Sequence, residues 1–346
     1  MCDKPHVRVS AIGDVFKIWL WAAISLLGGI LLTPIAYNGG KALSELSGTK
    51  DFNGFLNKAA AWSGATEMED FFKICWPLCA ILLLLPLIEW LRLGTDKSRE
   101  TPWEIRIPSP TGSNLENAQP LLPNQYGPLQ GVTGFLLTFG SFVLIGYAMV
   151  RAGSFTWASD LQAWRRSLVI DIGWALVMAL IIEVFFRCVV LGIFLRAMKV
   201  LPAIALASAL FAGIHYILAG FQNTLSLDGE TLTPMHLAQV LFFGGDLIPR
   251  FIIVFMPWFT FGCVLGWARW RTASLWLPTG LLMGWLLADQ LFTKATKTVE
   301  IHDSIAKYLA ADSVHNGLIP LLAVITLGGF VHIITEGYVF KKKASE

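Results

Sequence analysis

Glu183 and Arg187 stand four residues apart in an otherwise apolar run, Ile181-Ile-Glu-Val-Phe-Phe-Arg-Cys-Val-Val-Leu-Gly192. That spacing puts both on one helix face, where carboxylate and guanidinium can neutralise each other. A charge at membrane depth costs roughly 2.5–3.5 kcal/mol on insertion scales, so it is kept for function or for pairing. Two readings follow: part of a catalytic site, or a buried structural ion pair. His215 lies in the next apolar stretch. Lys199 sits at the turn between them, sixteen residues after Glu183 and sixteen before His215. At 1.5 Å per residue both groups lie about 24 Å from that turn and so share a depth. A lone buried histidine is commonly a satisfied core residue; the matched depth gives an acid–base role equal standing.

The elements that must hold these residues are membrane helices. Of 346 residues, 55% are hydrophobic and 14% charged, against roughly 25% charged in an average soluble domain. Mean hydropathy is positive. The fold class expected is all-α, a polytopic membrane helical bundle. Eight stretches are long and apolar enough to cross: about 18–37, 71–91, 131–150, 168–195, 200–221, 250–268, 272–291 and 317–340. Lipid offers open backbone groups no partner, so each should be helical. The first, Ile18 to Tyr37, is twenty uncharged residues, too long for a signal-peptide core, and is expected to stay in the mature chain. Residues 1–130 read as two N-terminal spans plus a polar cytoplasmic loop from Thr95 to Gln130, and residues 131–346 as the membrane core. Between Thr224 and Asp246 a short apolar piece, His236 to Phe243, reads as interfacial or re-entrant.

Cys75, Cys79, Cys188 and Cys263 fall in apolar segments without zinc-type spacing to histidine, so no metal site is expected. Basic residues follow the even-numbered spans: Arg92, Lys97, Arg99 and Arg106, then Arg196 and Lys199, Arg269 and Arg271, and Lys341 to Lys343. The positive-inside rule then puts both termini in the cytoplasm, although Arg151, Arg165 and Arg166 fit that poorly.

Glu183-Val-Phe-Phe-Arg187, Phe211-Ala-Gly-Ile-His215 and Ser274-Leu-Trp-Leu-Pro-Thr-Gly280 resemble, in order and spacing, the motifs of the CPBP family. These are the CAAX prenyl endopeptidases and their bacterial relatives, some linked to bacteriocin immunity. The likeness covers about residues 168–292. The family's motifs are Glu-Glu-x-x-x-Arg, Phe-x-x-x-His and His-x-x-x-Asn. Glu183 and Arg187 take the second glutamate and the arginine, and Phe211 and His215 match the second motif. The first glutamate falls on Ile182, the third-motif histidine on Leu282 and the asparagine on Leu286.

The resemblance implies a peptide hydrolysis without an obligatory metal or cofactor. A glutamate would take a proton from water, and histidine with asparagine would stabilise the oxyanion. Ile182 accepts no proton, and Leu282 and Leu286 donate no hydrogen bond. The expected function is therefore that of a degraded member, a pseudoenzyme, binding a hydrophobic or prenylated peptide or another membrane protein. Membrane lipid is a further expected partner; nucleic acid is not. The location expected is a bacterial inner membrane. An active endopeptidase using Glu183 and His215 with an unrecognised third group stays open, with Asp171, Asp289, Gln290 and His332 as possible replacements. A transporter is disfavoured, since no inverted repeat or matched pair of broken helices is evident. Trp258, Trp267, Trp270, Trp276 and Trp285 read as interface anchors and packing groups.

Overall fold

The computed structural model describes residues 5–49, 54–91, 126–158, 162–223, 232–243, 247–299 and 315–340. Most of the polar loop expected from Thr95 to Gln130, much of the 224–246 connection and both chain ends lie outside them. Among the described residues, seven helices are long and apolar enough to cross a membrane: Ile12–Ser47, Met68–Trp90, Gly127–Arg151, Leu168–Ala197, Val200–Phe221, Leu247–Thr272 and Leu318–Glu336. The eighth expected span is also a helix, Trp276–Ala295. Asp289 and Gln290 make it less apolar, and it can afford them because its middle is packed in protein: Leu277, Leu281, Leu282, Trp285 and Leu287 are all buried. Apolar side chains such as Leu144, Val169, Ile170, Leu201 and Ile333 point outward, as lipid contact requires. The chain is a polytopic helical membrane protein.

Two compact units cut across chain order: residues 1–99 with 216–250, and residues 100–215 with 251–346. In the first, α1 (Pro5–Ser47) packs on α3 (Met68–Leu82), with α2 (Gly54–Ala65) between them in sequence and α4 (Leu84–Trp90) following. The apolar piece near His236 is a ten-residue helix, Pro234–Phe243, about 15 Å long and too short to cross. It buries Leu237 and Leu241 against Ile30, Phe72 and Phe221. The Asn38 amide fixes its approach, donating to Leu232 O at 2.8 Å and accepting from Leu232 N at 3.2 Å. Arg250 donates to Leu241 O at 2.6 Å and lies 4.0 Å from the Tyr216 ring.

The second unit carries the motifs. It contains α5 (Gly127–Arg151), α6 (Gln162–Glu183), α7 (Leu191–Ala197), α8 (Val200–Leu218, whose last turn leads into the first unit), α11 (Met256–Thr272), α12 (Trp276–Ala295) and α13 (Leu318–Phe340). The helices at 234–243 and 247–250 of the first unit are α9 and α10. A two-stranded antiparallel ribbon pairs β1 (Phe155–Trp157) with β2 (Thr296–Thr298), Thr156 opposite Lys297. It joins the ends of α5 and α12, which run parallel: Gly131 meets Gly280, and Phe135 meets Gly284. The glycines permit this approach. A Cβ at Gly284 would lie 2.7 Å from Phe135 O, the small-residue packing that brings membrane helices together. Parallel directions also require the three crossings between them, α6–α7, α8 and α10–α11, to traverse the full thickness.

Two of those crossings are not uniform α-helix. A π-helical turn, Val184–Val190, joins α6 to α7, and another, Phe251–Phe255, joins α10 to α11. Pro257 accounts for part of the second. It has no N–H to give to Ile253 O, and Gly317 N donates there instead at 2.9 Å. Gly317 holds φ at +119°, open only to glycine. For the first we find no comparable local cause.

Gly284→Leu should wedge α12 off α5. We expect a loss of roughly 1–3 kcal/mol or more in detergent-solubilised protein, read as a lowered thermal midpoint; an unchanged midpoint would contradict the close packing.

Candidate functional site

The π-helical turn sets the geometry around Arg187. Leu191 N donates to Phe186 O, five residues back, so the chain carries a residue more than an α-helix would. Glu183 at the end of α6 is 0% exposed and Arg187 3%. Arg187 Nε lies 3.5 Å from Glu183 Oε2, an ion pair too long for a good hydrogen bond. Neither Glu183 oxygen receives a hydrogen bond. Arg187 Nη2 donates to Gly262 O of α11 at 3.4 Å. The guanidinium also lies 4.8 Å from the Phe211 ring of α8, a cation–π contact that suits a dehydrated charge. Arg269, buried on α11, adds to the field on the Glu183 carboxylate.

The Arg187–Phe211 contact fixes the antiparallel register of the two crossings. One turn back from Arg187 and one turn on from Phe211, Glu183 and His215 come to the same level. They do not bond to each other: no ion pair or hydrogen bond joins them. The His215 ring stacks on Trp258 instead, at a centroid separation of 3.4 Å and 4° between planes. Phe211 touches both sides, Arg187 on one and His215 at 5.1 Å on the other. Trp258 continues the aromatic wall to Trp285 at 4.9 Å, and Trp285 stacks on Phe261 at 4.0 Å. Two of the tryptophans expected as anchors and packing groups therefore wall the site.

The substituted motif positions present only hydrocarbon. Leu282 is fully buried; Ile182 and Leu286 are half-buried. Of the possible replacements, Asp171 is engaged by Lys294, whose Nζ donates to both carboxylate oxygens at 2.8 and 2.7 Å. His332 is exposed and near Trp267 at 5.9 Å. Gln290 is half-buried, beside Asp289. Asp289 stands differently. It follows Leu282 and Leu286 on the same face of α12, one turn further along. Its Oδ1 lies 2.8 Å from His315 Nδ1, close enough for a charge contact but not aligned as a hydrogen bond. The His315 ring sits 5.2 Å from Trp258 and 5.8 Å from Trp285.

Sequence reasoning missed His315 and the burial of Arg269. The Leu282, Leu286, Asp289 spacing was the one available signal. Among the described residues, no group of three or more His, Cys, Asp or Glu side chains could hold a metal ion, and the four cysteines there are free thiols.

Residues 164–287 match the family model described as type II CAAX prenyl endopeptidase Rce1-like. That segment is similar to the Rce1-like family. It spans α6 to α12, a little over a third of the chain, and holds every motif position from Ile182 to Leu286. It stops just short of Asp289 and excludes His315. No curated protein and no solved structure matches the chain. The CAAX-protease resemblance read from the motifs is thus supported by the family match over almost the same stretch.

Arg187→Ala should strand the Glu183 carboxylate among apolar groups and cost roughly 3–5 kcal/mol, whereas Glu183→Leu with Arg187→Met should be near neutral or stabilising. Thermal unfolding of the two variants in detergent tests this; equal effects would contradict the pairing.

Proposed function

We propose that this chain is a non-hydrolytic Rce1-like membrane protein. In this reading it receives a hydrophobic or lipidated peptide, or another membrane protein, among its helices and does not cleave it. One observation carries the proposal: the three positions that would serve water and oxyanion are Ile182, Leu282 and Leu286, and the remaining Glu183 is paired with Arg187. Proton abstraction needs a base within hydrogen-bond reach of water. Adjacent helix residues point about 100° apart, so Glu183 does not take the place of position 182. Losing one oxyanion donor typically costs 100- to 1,000-fold in rate, and here the His and Asn positions are both aliphatic. His215 keeps its motif position, but its ring face is against Trp258.

The location that goes with this reading is a bacterial inner membrane with both termini in the cytoplasm. Basic residues at the α7–α8 and α11–α12 turns favour that orientation.

A second reading, a working endopeptidase, is favoured by the Asp289–His315 pair beside the Trp258 on which His215 stacks. A carboxylate-oriented imidazole is an acid–base arrangement, displaced one helical turn from the family's position.

Incubation of purified protein with fluorogenic farnesylated C-terminal peptides discriminates the readings. We expect no turnover from the wild type, retention of the peptide in equilibrium binding, and turnover appearing in the combined variant Ile182→Glu, Leu282→His, Leu286→Asn. Wild-type cleavage abolished by Glu183→Ala or His315→Ala would overturn the non-hydrolytic reading, and loss with His315→Ala alone would favour the second.

A further inference from the structure

Two tight turns of the second unit lie side by side at one membrane surface, and both are basic. The first joins α7 to α8 and carries Arg196 and Lys199, both exposed. The second joins α11 to α12 and follows Arg269 and Arg271. Their proximity comes from the register of α8 on α11: a Cβ at Gly262 would lie 2.9 Å from Ser208, and one at Gly266 would lie 3.0 Å from Ile204. Five residues beyond each member of the second pair, the helices reach Lys199 and Arg271 at a common level. The Arg187–Gly262 contact does the same for α7, since nine residues on from each come Arg196 and Arg271. The first turn separates two membrane crossings and the second follows another and leads into α12, which puts that level at the bilayer surface.

Aromatic groups mark the same level. Trp267 and Trp270 lie 4.9 Å apart, and the Arg271 guanidinium is 5.6 Å from the Trp267 ring. Tryptophan prefers the headgroup region, where its ring is half in hydrocarbon and its N–H half in water. Arg269 lies buried beneath and adds positive potential. Among the described residues, the exposed Glu336 of α13 is an acidic group at this end of the unit.

We propose that these turns form a binding site for the phosphate headgroup of an anionic phospholipid, seated between Arg196 and Lys199 on one turn and Arg271 on the other, its chains running down past Trp267 and Trp270. Basic residues at a membrane surface attract anionic lipid, and pockets between helices collect it. Two turns from different hairpins offer a headgroup donors from both, which a single basic turn would not. Arginine adds planar, multidentate donation to phosphate oxygens. The site is independent of whether the Rce1-like segment cleaves anything.

The test is native mass spectrometry of the full chain in detergent, titrated with phosphatidylglycerol or with phosphatidylcholine of the same acyl chains. We expect the wild type to retain phosphatidylglycerol preferentially, and Arg196→Gln with Lys199→Gln to lose that preference by about five-fold per charge removed. Lys58→Gln, an exposed lysine of the other unit, should keep it, as should the charge-conserving Arg196→Lys. No preference in the wild type, full preference in the double variant, or equal loss with Lys58→Gln would each overturn the site. Displacement by excess inorganic phosphate would assign it to a soluble anion instead and overturn the lipid.

Discussion

A carboxylate taken out of water needs either hydration or a counter-charge, and the fold supplies Glu183 with the second. Arg187, one turn on, lies against it, and the guanidinium is itself held by the Gly262 carbonyl and the face of Phe211. Removing either charge would leave the other without its nearest counter-charge among largely apolar side chains. This pair ties three crossings together: α6 and the π-helical turn supply its ends, α8 its aromatic cover and α11 its carbonyl. Beside it α8 and α11 approach closely at Gly262, as α5 and α12 do at Gly280 and Gly284.

The same arrangement keeps the Glu183 carboxylate and the His215 imidazole apart. Phe211 touches both Arg187 and His215, so the two are joined through a ring rather than by a polar contact. His215 spends its ring face on Trp258. α12 carries leucine at positions 282 and 286. One turn on from Leu286, Asp289 meets His315 from a different part of the chain. Arg187, Phe211, Gly262 and Gly280 each hold helices of this segment together.

Much of this could be read from residues alone because it is local or periodic. The Glu183–Arg187 spacing gave the ion pair, and equal distances from Lys199 gave the common depth. Long apolar runs gave the crossings, including α12, whose polar end lowers its average but whose length does not. Other features lacked a local signal. The turn at 184–190 has no proline or glycine to announce its π geometry, whereas Pro257 does mark the one at 251–255. Three-residue strands are too short for alternation to register. The glycines at 131, 280 and 284 were visible, but which helix they faced was not. His315 reaches Asp289 across 26 residues of chain, a contact no spacing rule predicts.

The most direct measurement is an experimental structure of the wild type in lipid at a resolution that resolves bound water. The account predicts Phe211 packed between the Arg187 and His215 side chains, with no ordered water hydrogen-bonded to both Glu183 and His215. A water held by those two groups together with a third polar partner, from Asp289, His315 or elsewhere, would contradict it.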